Sequence, residues 1–122
     1  MVGVKTKRRY KEHSDQVRVV QRVRAFHPGV IIAAIPNGGD RTAQERVRLA
    51  AEGVLAGMPD LCVLRASKGF YGLFVEMKTE NGVVGAAQRD LATRLNGEGY
   101  LCVTARGADE AYAIIEEYLH GE

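Results

Sequence analysis

Apolar residues along this chain recur at two alternating spacings, one typical of helices and the other of strands. Between residues 11 and 26 they return every three or four positions, with charged residues on the opposite face, which predicts a helix. Residues 30–35 form a short apolar run that ends at Pro36 and a glycine-rich turn, as is typical of a strand. The remaining elements follow from the same patterns: a helix opened by the capping-box residues Thr42 and Glu45 and ending near residues 53–57, strands at 61–64 and 73–78, a helix at 88–95, a strand at 100–104, and a last helix around 111–119.

The order of these elements predicts an α/β fold. It is α-β-α-β-β-α-β-α, so we expect a mixed central sheet with helices packed against it. The glycine-bounded loop 68–72 lies between the second and third strands, which predicts that these two strands are antiparallel neighbours. At 122 residues the chain is long enough to bury one core, and we expect a single domain.

Composition places the chain among ordinary globular proteins. Apolar residues make up 46% of it and charged residues 26%, which excludes intrinsic disorder for most of the chain. The longest apolar run is far shorter than the ~20 residues that span a bilayer, and no apolar signal-peptide stretch follows the basic start, so we expect a cytoplasmic protein without membrane contact. Cys62 and Cys102 lack CxxC spacing, which favours buried, reduced thiols over a disulfide.

Positive charge is concentrated at the N-terminus. Residues 1–24 carry eight Lys and Arg side chains against two acids, a net charge of +6, which leaves −4 for the rest of a chain whose total is +2. We interpret residues 1–10 as a basic arm in front of a single domain at 11–122. This asymmetry indicates contact with a polyanion, but a solvated arm that aids solubility would give the same pattern. The candidate nucleic-acid contacts of this region are Lys5, Lys7, Arg8, Arg9 and Lys11.

The strand at residues 73–78 carries charges in an otherwise apolar sequence. Side chains two apart on a strand point to the same face, so Glu76 and Lys78 project together about 7 Å apart, while Met77 points the opposite way. A buried charge is costly unless it is paired or bound to a metal. Asp60, at the start of the neighbouring strand, would bring a second carboxylate beside Glu76. Two carboxylates with waters and a phosphate oxygen suit Mg²⁺.

Such a site fits metal-assisted hydrolysis of phosphodiester bonds. The metal would polarise the scissile phosphate and lower the pKa of a bound water, while Lys78 would orient that water or neutralise charge on the phosphoryl oxygens. A plainer interpretation is a Glu76–Lys78 ion pair on a partly exposed strand, with Asp60 as a turn residue. The sequence contains no P-loop and no GxGxxG motif, so we expect no nucleotide cofactor.

Several short motifs occur together, in order, between residues 12 and 119. They are Glu12 with Gln16 one turn later, Pro36-Asn37-Gly38-Gly39 with Arg41, Gly53, Gly57-Met58-Pro59-Asp60, Glu76-Met77-Lys78, Gln88, and Gly99-Tyr100 before the last strand. Pro59-Asp60 followed by Glu76-Met77-Lys78 resembles the signature of the PD-(D/E)XK nucleases, and the whole series resembles the VRR-NUC domain of that superfamily. The resemblance implies a restriction-endonuclease-like core.

The resemblance also implies roles for the matching residues. Asp60 and Glu76 would be the metal-binding acids for Mg²⁺ or Mn²⁺, with the backbone carbonyl of Met77 as a further ligand. Lys78 would be the catalytic lysine. Gln88, on the helix after this strand, would help to hold the water or the lysine.

Three more residues outside this central group match the VRR-NUC pattern. Glu12 corresponds to an acid that the first helix contributes to the edge of the metal site, and the alternative is a solvated acid at a helix start. Asn37 and Arg41 flank the glycine turn, where they would contact the DNA backbone or serve the turn alone.

These features predict a divalent-metal-dependent endonuclease that hydrolyses DNA phosphodiester bonds. The sequence offers no spare helix or ribbon for reading bases, so we expect a branched, Holliday-junction-like substrate. Because a junction is nearly two-fold symmetric, we expect a homodimer, joined through the loop of Phe70 and Tyr71 and its strand edge rather than through the last helix. The alternatives are a non-catalytic nucleic-acid-binding module and a nuclease subunit of a larger phage or bacterial recombination or repair complex.

Overall fold

The computed structural model describes residues 4–36 and 41–121, and the side chains within these ranges from residue 10 onward. Its elements are α1 (Val4–Phe26), β1 (Ile32–Ala34), α2 (Ala43–Ala51), β2 (Leu61–Val63), β3 (Leu73–Lys78), α3 (Ala86–Gly97), β4 (Leu101–Arg106) and α4 (Ala108–Leu119). The predicted order of helices and strands is therefore confirmed. Within the described ranges, none of the helices combines the length and the apolar character that crossing a membrane requires.

The four strands form one mixed sheet in the order β1-β2-β3-β4. β2 pairs antiparallel with both β1 and β3, which confirms the predicted hairpin, whereas β3 and β4 are parallel. A parallel pair needs a crossover connection, and α3 supplies it. The predicted α/β architecture is therefore confirmed.

The hydrophobic core lies between one face of the sheet and helices α1 and α4. Its members alternate along β3, where Leu73, Val75 and Met77 are buried, and they return every three or four residues on the two helices. The other buried apolar residues of this core are Val19, Val23, Val30, Ile32, Leu61, Val63, Ala105, Ala108, Ala111, Tyr112, Ile115 and Tyr118. The opposite face of the sheet is covered in part by α3 through the buried Leu91. The remaining side chains of β3, which include the charged Glu76 and Lys78, therefore point away from the core.

Helix α2 is held by its cap more than by packing. The Glu45 N–H donates to the Thr42 hydroxyl at 3.1 Å, and the Thr42 N–H donates to the Glu45 carboxylate at 3.3 Å, which confirms the predicted capping box. No residue of α2 is buried. The helix ends at Ala51 rather than near residues 53–57, because Gly53 takes a φ of +108° that no helix accommodates.

Other boundaries also differ from the apolar pattern, most of them by one to three residues. Helix α1 begins at Val4, seven residues before the predicted start, because the Lys and Arg residues of this segment favour helix without needing an apolar stripe. Strand β1 is limited to three residues, since its partner β2 is equally short. The division into an arm at residues 1–10 and a domain at 11–122 stays a prediction, as the side chains of residues 1–9 lie outside the described ones.

The two cysteines are free, as predicted, but only half-buried. Cys62 and Cys102 both pair in register with Phe74, from opposite sides of β3. Neighbouring strands lie about 4.8 Å apart, so one intervening strand holds the two Cα atoms beyond the ~7 Å that a disulfide can bridge. The sheet itself keeps these thiols apart.

Candidate active site

The two acids of the predicted metal site are brought together by the pairing of β2 with β3. Leu61 lies opposite Val75, so Asp60, one residue before β2, falls opposite Glu76. The backbone N–H of Met77 donates a hydrogen bond of 2.7 Å to Oδ2 of Asp60, which holds that carboxylate against β3. The two carboxyl groups are close enough for each to act on the pKa of the other.

Glu76 is the most enclosed charged group of the site, with only 7% of its surface exposed. Its Oε1 accepts a hydrogen bond of 2.9 Å from Nε2 of Gln88. Its Oε2 is buried and accepts no hydrogen bond from the described residues. A buried carboxylate oxygen without a hydrogen bond is rare, because burial removes its water and nothing replaces it. Such an oxygen indicates a site where a ligand binds.

Burial and charge act on the pKa values of both acids. Burial, reinforced by the neighbouring charges of Asp60 and Glu12, raises the pKa of Glu76 to about 8, with Lys78 opposing the change. Burial also raises the pKa of Asp60, against the lowering effects of the Met77 N–H, of Glu76 and of Lys78. One ammonium group does not offset two desolvated carboxylates, so the site lacks positive charge.

This donor set fits a hard divalent cation. Asp60 and the free oxygen of Glu76 are oxygen ligands of the kind that Mg²⁺ takes, and Mg²⁺ is commonly bound through only one or two carboxylates with waters and phosphate oxygens. Among the described residues, no group of three or more His, Cys, Asp and Glu side chains is placed to hold a metal. The described side chains therefore do not form a complete coordination shell for a metal. The carbonyl of Met77 as a ligand stays a prediction.

Lys78 and Gln88 flank the acid pair on the same side of the sheet. Lys78 follows Glu76 by two strand positions and is partly buried, and its charge acts on both carboxylates. Gln88 is fixed from two sides, because its Oε1 accepts the Gly85 N–H at 2.8 Å while its Nε2 donates to Glu76. Gln88 therefore contacts an acid rather than the lysine, and its predicted role at the water or the lysine remains a prediction.

Helix α1 borders the site through its first described turns. Glu12 is half-buried, and its charge contributes to the raised pKa of Glu76, so it lies near the edge of the acid pair. Nζ of Lys11 donates to both oxygens of the buried Asp15 at 2.8 and 3.0 Å. The motifs did not indicate Asp15, although its position four residues before Val19 and eight before Val23 places it on the buried face of the helix.

The other predicted nucleic-acid contacts are only partly described. Arg41 is half-buried, and its carbonyl accepts a hydrogen bond of 3.1 Å from Arg46. Asn37 lies outside the described residues, as do the side chains of Lys5, Lys7, Arg8 and Arg9. Their contacts with DNA stay predictions.

A cavity of about 380 Å³ adjoins the acid pair on the side of α3. Glu76 and Gln88 form part of its wall, and the rest comes from α3, from β4 and from the loop before Asp60. Gly57 is needed in that loop, because it has a φ of +92° and an added Cβ would lie 2.5 Å from the carbonyl oxygen of Ala87. The close approach of this loop to α3 bounds the cavity.

Comparison with known proteins gives a family match and a similar solved structure. The sequence model of the VRR-NUC domain family matches residues 7–109. A solved structure described as a VRR_NUC domain protein is similar to the chain, with a TM-score of 0.77 and 27% sequence identity over 89% of this chain and 88% of that one. No curated protein gives a significant match.

The raised pKa of Glu76 predicts how the stability of the metal-free protein depends on pH. The folded protein keeps a proton on Glu76 up to a pKa of about 8, whereas the unfolded chain loses it near the ordinary value of 4.5. The folded state therefore binds more protons between these values, and this contribution to stability is lost as pH rises from 4.5 through 8. Urea unfolding in EDTA at intervals from pH 5 to 8.5 should show a falling midpoint.

The variant Glu76→Gln carries no charge at any pH, so its midpoint should change less over this range than that of the wild type. Glu98→Gln, which removes an exposed acid, is the matched control and should follow the wild-type curve. Added Mg²⁺ should raise the wild-type midpoint more at pH 8 than at pH 5. Parallel curves for wild type and Glu76→Gln would show that Glu76 does not titrate in this range.

Proposed function

The chain belongs to the VRR-NUC domain family, and from this premise we propose that it is a divalent-metal-dependent endonuclease that hydrolyses DNA phosphodiester bonds. Family membership supports a nuclease and DNA as its substrate. The observation that carries the metal dependence is the buried Asp60–Glu76 pair, with one carboxylate oxygen left without a partner among the described residues. A binding module has no use for such a costly arrangement of like charges.

Asp60, Glu76 and the carbonyl of Met77 would hold the metal. A bound Mg²⁺ or Mn²⁺ supplies positive charge to the scissile phosphate and lowers the pKa of a bound water. Lys78 places its ammonium beside the acids, where it stabilises negative charge on the phosphoryl oxygens.

Two neighbouring groups keep the acids in place. The Met77 N–H fixes the Asp60 carboxylate, and Gln88 fixes one oxygen of Glu76 so that the other faces the site. The low exposure of Glu76 limits competition from solvent for these contacts.

We propose that the substrate is branched DNA, such as a Holliday junction, rather than a base sequence. All eight described helices and strands belong to the α/β unit itself. Base readout in the major groove normally uses an added helix or ribbon with several polar side chains. Selection by the shape of the DNA needs no such addition.

A homodimer would match the symmetry of a junction. The last helix does not offer the contact, because Ala111, Ile115 and Tyr118 are buried in the core of the same chain. Phe70 also packs against the core, whereas Tyr71, next to it, is 69% exposed. Among the described residues, Tyr71 is thus the apolar group of the predicted loop that remains available to a second copy.

The alternatives are a non-catalytic nucleic-acid-binding module and a nuclease subunit of a larger complex. The basic N-terminus favours DNA binding under every one of these interpretations. The acid pair favours catalysis, and a cleavage assay with the purified protein separates the three.

The first test is cleavage of labelled junction, flap and linear duplex DNA with and without Mg²⁺ or Mn²⁺. Asp60→Asn and Glu76→Gln should abolish cleavage, because each removes a metal-binding charge with little change in volume. Lys78→Ala should lower the rate at least ~10²-fold, as expected for the loss of one group that stabilises the transition state.

Matched controls are available on the surface. Asp90→Asn, Glu98→Gln and Lys68→Ala change exposed side chains of the same types, and they should cleave like the wild type. Near-normal cleavage by Asp60→Asn or Glu76→Gln would remove these acids from the mechanism. DNA binding by a wild-type protein that cleaves none of the three substrates would favour the binding module.

The basic N-terminus generates a prediction about salt dependence. Changing Lys5, Lys7, Arg8 and Arg9 together to Gln removes four charges while keeping residues that favour helix, and affinity for DNA should fall. The slope of log affinity against log salt should flatten by about 0.7–0.9 for each phosphate that the variant no longer neutralises. Fluorescence anisotropy in EDTA measures both quantities. A four-charge control changes Arg48, Arg65, Lys68 and Arg94 to Gln, and an equal effect of the two variants would assign the arm to solubility.

The dimer is tested by sedimentation at micromolar protein in physiological salt. The wild type should sediment at about twice the 13.3 kDa chain mass. Tyr71→Asp should shift it toward the monomer because it places a charge in the proposed contact. Tyr10→Asp changes another exposed tyrosine, on α1, and should leave the mass unchanged. A wild-type monomer that cuts both strands of a junction symmetrically would contradict the two-fold arrangement.

A further inference from the structure

The turn after β3 is held by an arginine from the neighbouring strand. β3 and β4 are parallel, and Arg106 lies beside Lys78 in register. Nη1 of Arg106 donates hydrogen bonds to the carbonyl oxygens of Thr79 at 2.8 Å, Glu80 at 3.3 Å and Gly82 at 2.6 Å. A single guanidinium thus ties the whole turn 79–82 to the last residue of β4.

The same turn packs against the side chain of Lys78. Gly82 is buried, and a Cβ added to it would lie 3.4 Å from Cδ of Lys78. The Gly82 N–H donates to the carbonyl of Thr79 at 3.1 Å, which closes the turn on this stem. On the other side, the Gly107 N–H donates to the carbonyl of Lys78 at 3.2 Å. The aliphatic part of Lys78 is therefore enclosed by a turn whose position depends on Arg106.

We propose that Arg106 is a positioning residue that directs the Lys78 ammonium toward the Asp60–Glu76 pair. This inference rests on the proposed nuclease function, in which Lys78 stabilises charge on the substrate. Arg106 acts through the turn and touches neither the acids nor the reacting atoms. A free lysine side chain has many rotamers, so a turn packed on its stem lowers the entropy lost when the ammonium meets the phosphate.

Arginine suits this position for a geometric reason. The three carbonyls come from residues 79, 80 and 82 of one turn and converge on a single nitrogen, Nη1 of Arg106. A lysine side chain is one bond shorter than that of arginine and is more flexible and more strongly hydrated. Arg106→Lys keeps the charge but does not place a donor at the position of Nη1, so it should not hold the turn.

The kinetic test is a double-mutant cycle between Arg106 and Lys78, measured on whichever DNA the wild type cleaves. Arg106→Ala should lower kcat about tenfold to a hundredfold, because a displacement of about 1 Å can cost ~10²-fold, while KM changes less than about twofold. In the Lys78→Ala background, the same change should lower kcat less than about twofold, since residues that act as a unit are not additive. Arg106→Lys should remain well below the wild type.

Arg24→Ala is the matched control. Nη2 of Arg24 also donates to a backbone carbonyl, that of Ile32 at 3.1 Å, but it does not contact the turn 79–82. This variant should keep kcat within about twofold of the wild type. Urea unfolding of each variant separates a positioning effect from a general loss of stability.

A second measurement does not depend on DNA cleavage. The ¹³C relaxation of Lys78 Cε reports the order of the side chain, and its mobility should increase in Arg106→Ala but not in Arg24→Ala. A wild type without nuclease activity would overturn the proposed function, and an unchanged Lys78 Cε would separately overturn the role of Arg106.

Two kinetic outcomes would also overturn the proposal. Equal losses of kcat in the wild-type and Lys78→Ala backgrounds would show that Arg106 does not act through Lys78. A raised KM with a salt slope flatter by about 0.7–0.9, rescued by Arg106→Lys, would show that Arg106 binds a phosphate instead.

Discussion

The approach of the half-buried Asp60 to the buried Glu76 is the constraint on which the rest of the structure depends. Asp60 and Glu76 fall opposite each other because β2 and β3 pair antiparallel with Leu61 opposite Val75. Burial and mutual repulsion both oppose ionisation, which raises the pKa of Glu76 to about 8. The arrangement is unfavourable by itself, so it persists only because the surrounding fold holds it.

The apolar face of the same strand offsets this cost. Leu73, Val75 and Met77 are almost completely buried between the sheet and helices α1 and α4, and each such side chain contributes about 1.5–3 kcal/mol when fully buried. A one-residue slip of β3 would move these three into the site and Glu76 into the core. The register that stabilises the core is thus the register that pairs the acids, so neither can be changed without the other.

Helix α3 joins local stability to the chemistry of the site in a similar way. Gln88 accepts a hydrogen bond from the Gly85 N–H at the start of the helix and donates one to Glu76. A side chain that caps a helix has little freedom of its own, and this rigidity is passed to the carboxylate. The turn between β3 and α3 is held by hydrogen bonds from Arg106. Hydrogen bonds therefore restrain both Gln88 and the turn that packs on Lys78.

The sequence alone determined the order of elements, the capping box of Thr42 and Glu45, and the alternation that separates Glu76 and Lys78 from Met77, because each depends on residues a few positions apart. It did not determine that α2 buries nothing, that Asp15 is enclosed, or that Arg106 binds a turn more than twenty residues before it. Only the tertiary structure decided these features. They arise where segments distant in the chain meet, and the free energy of a buried charge or a hydrogen bond is set by what surrounds it there.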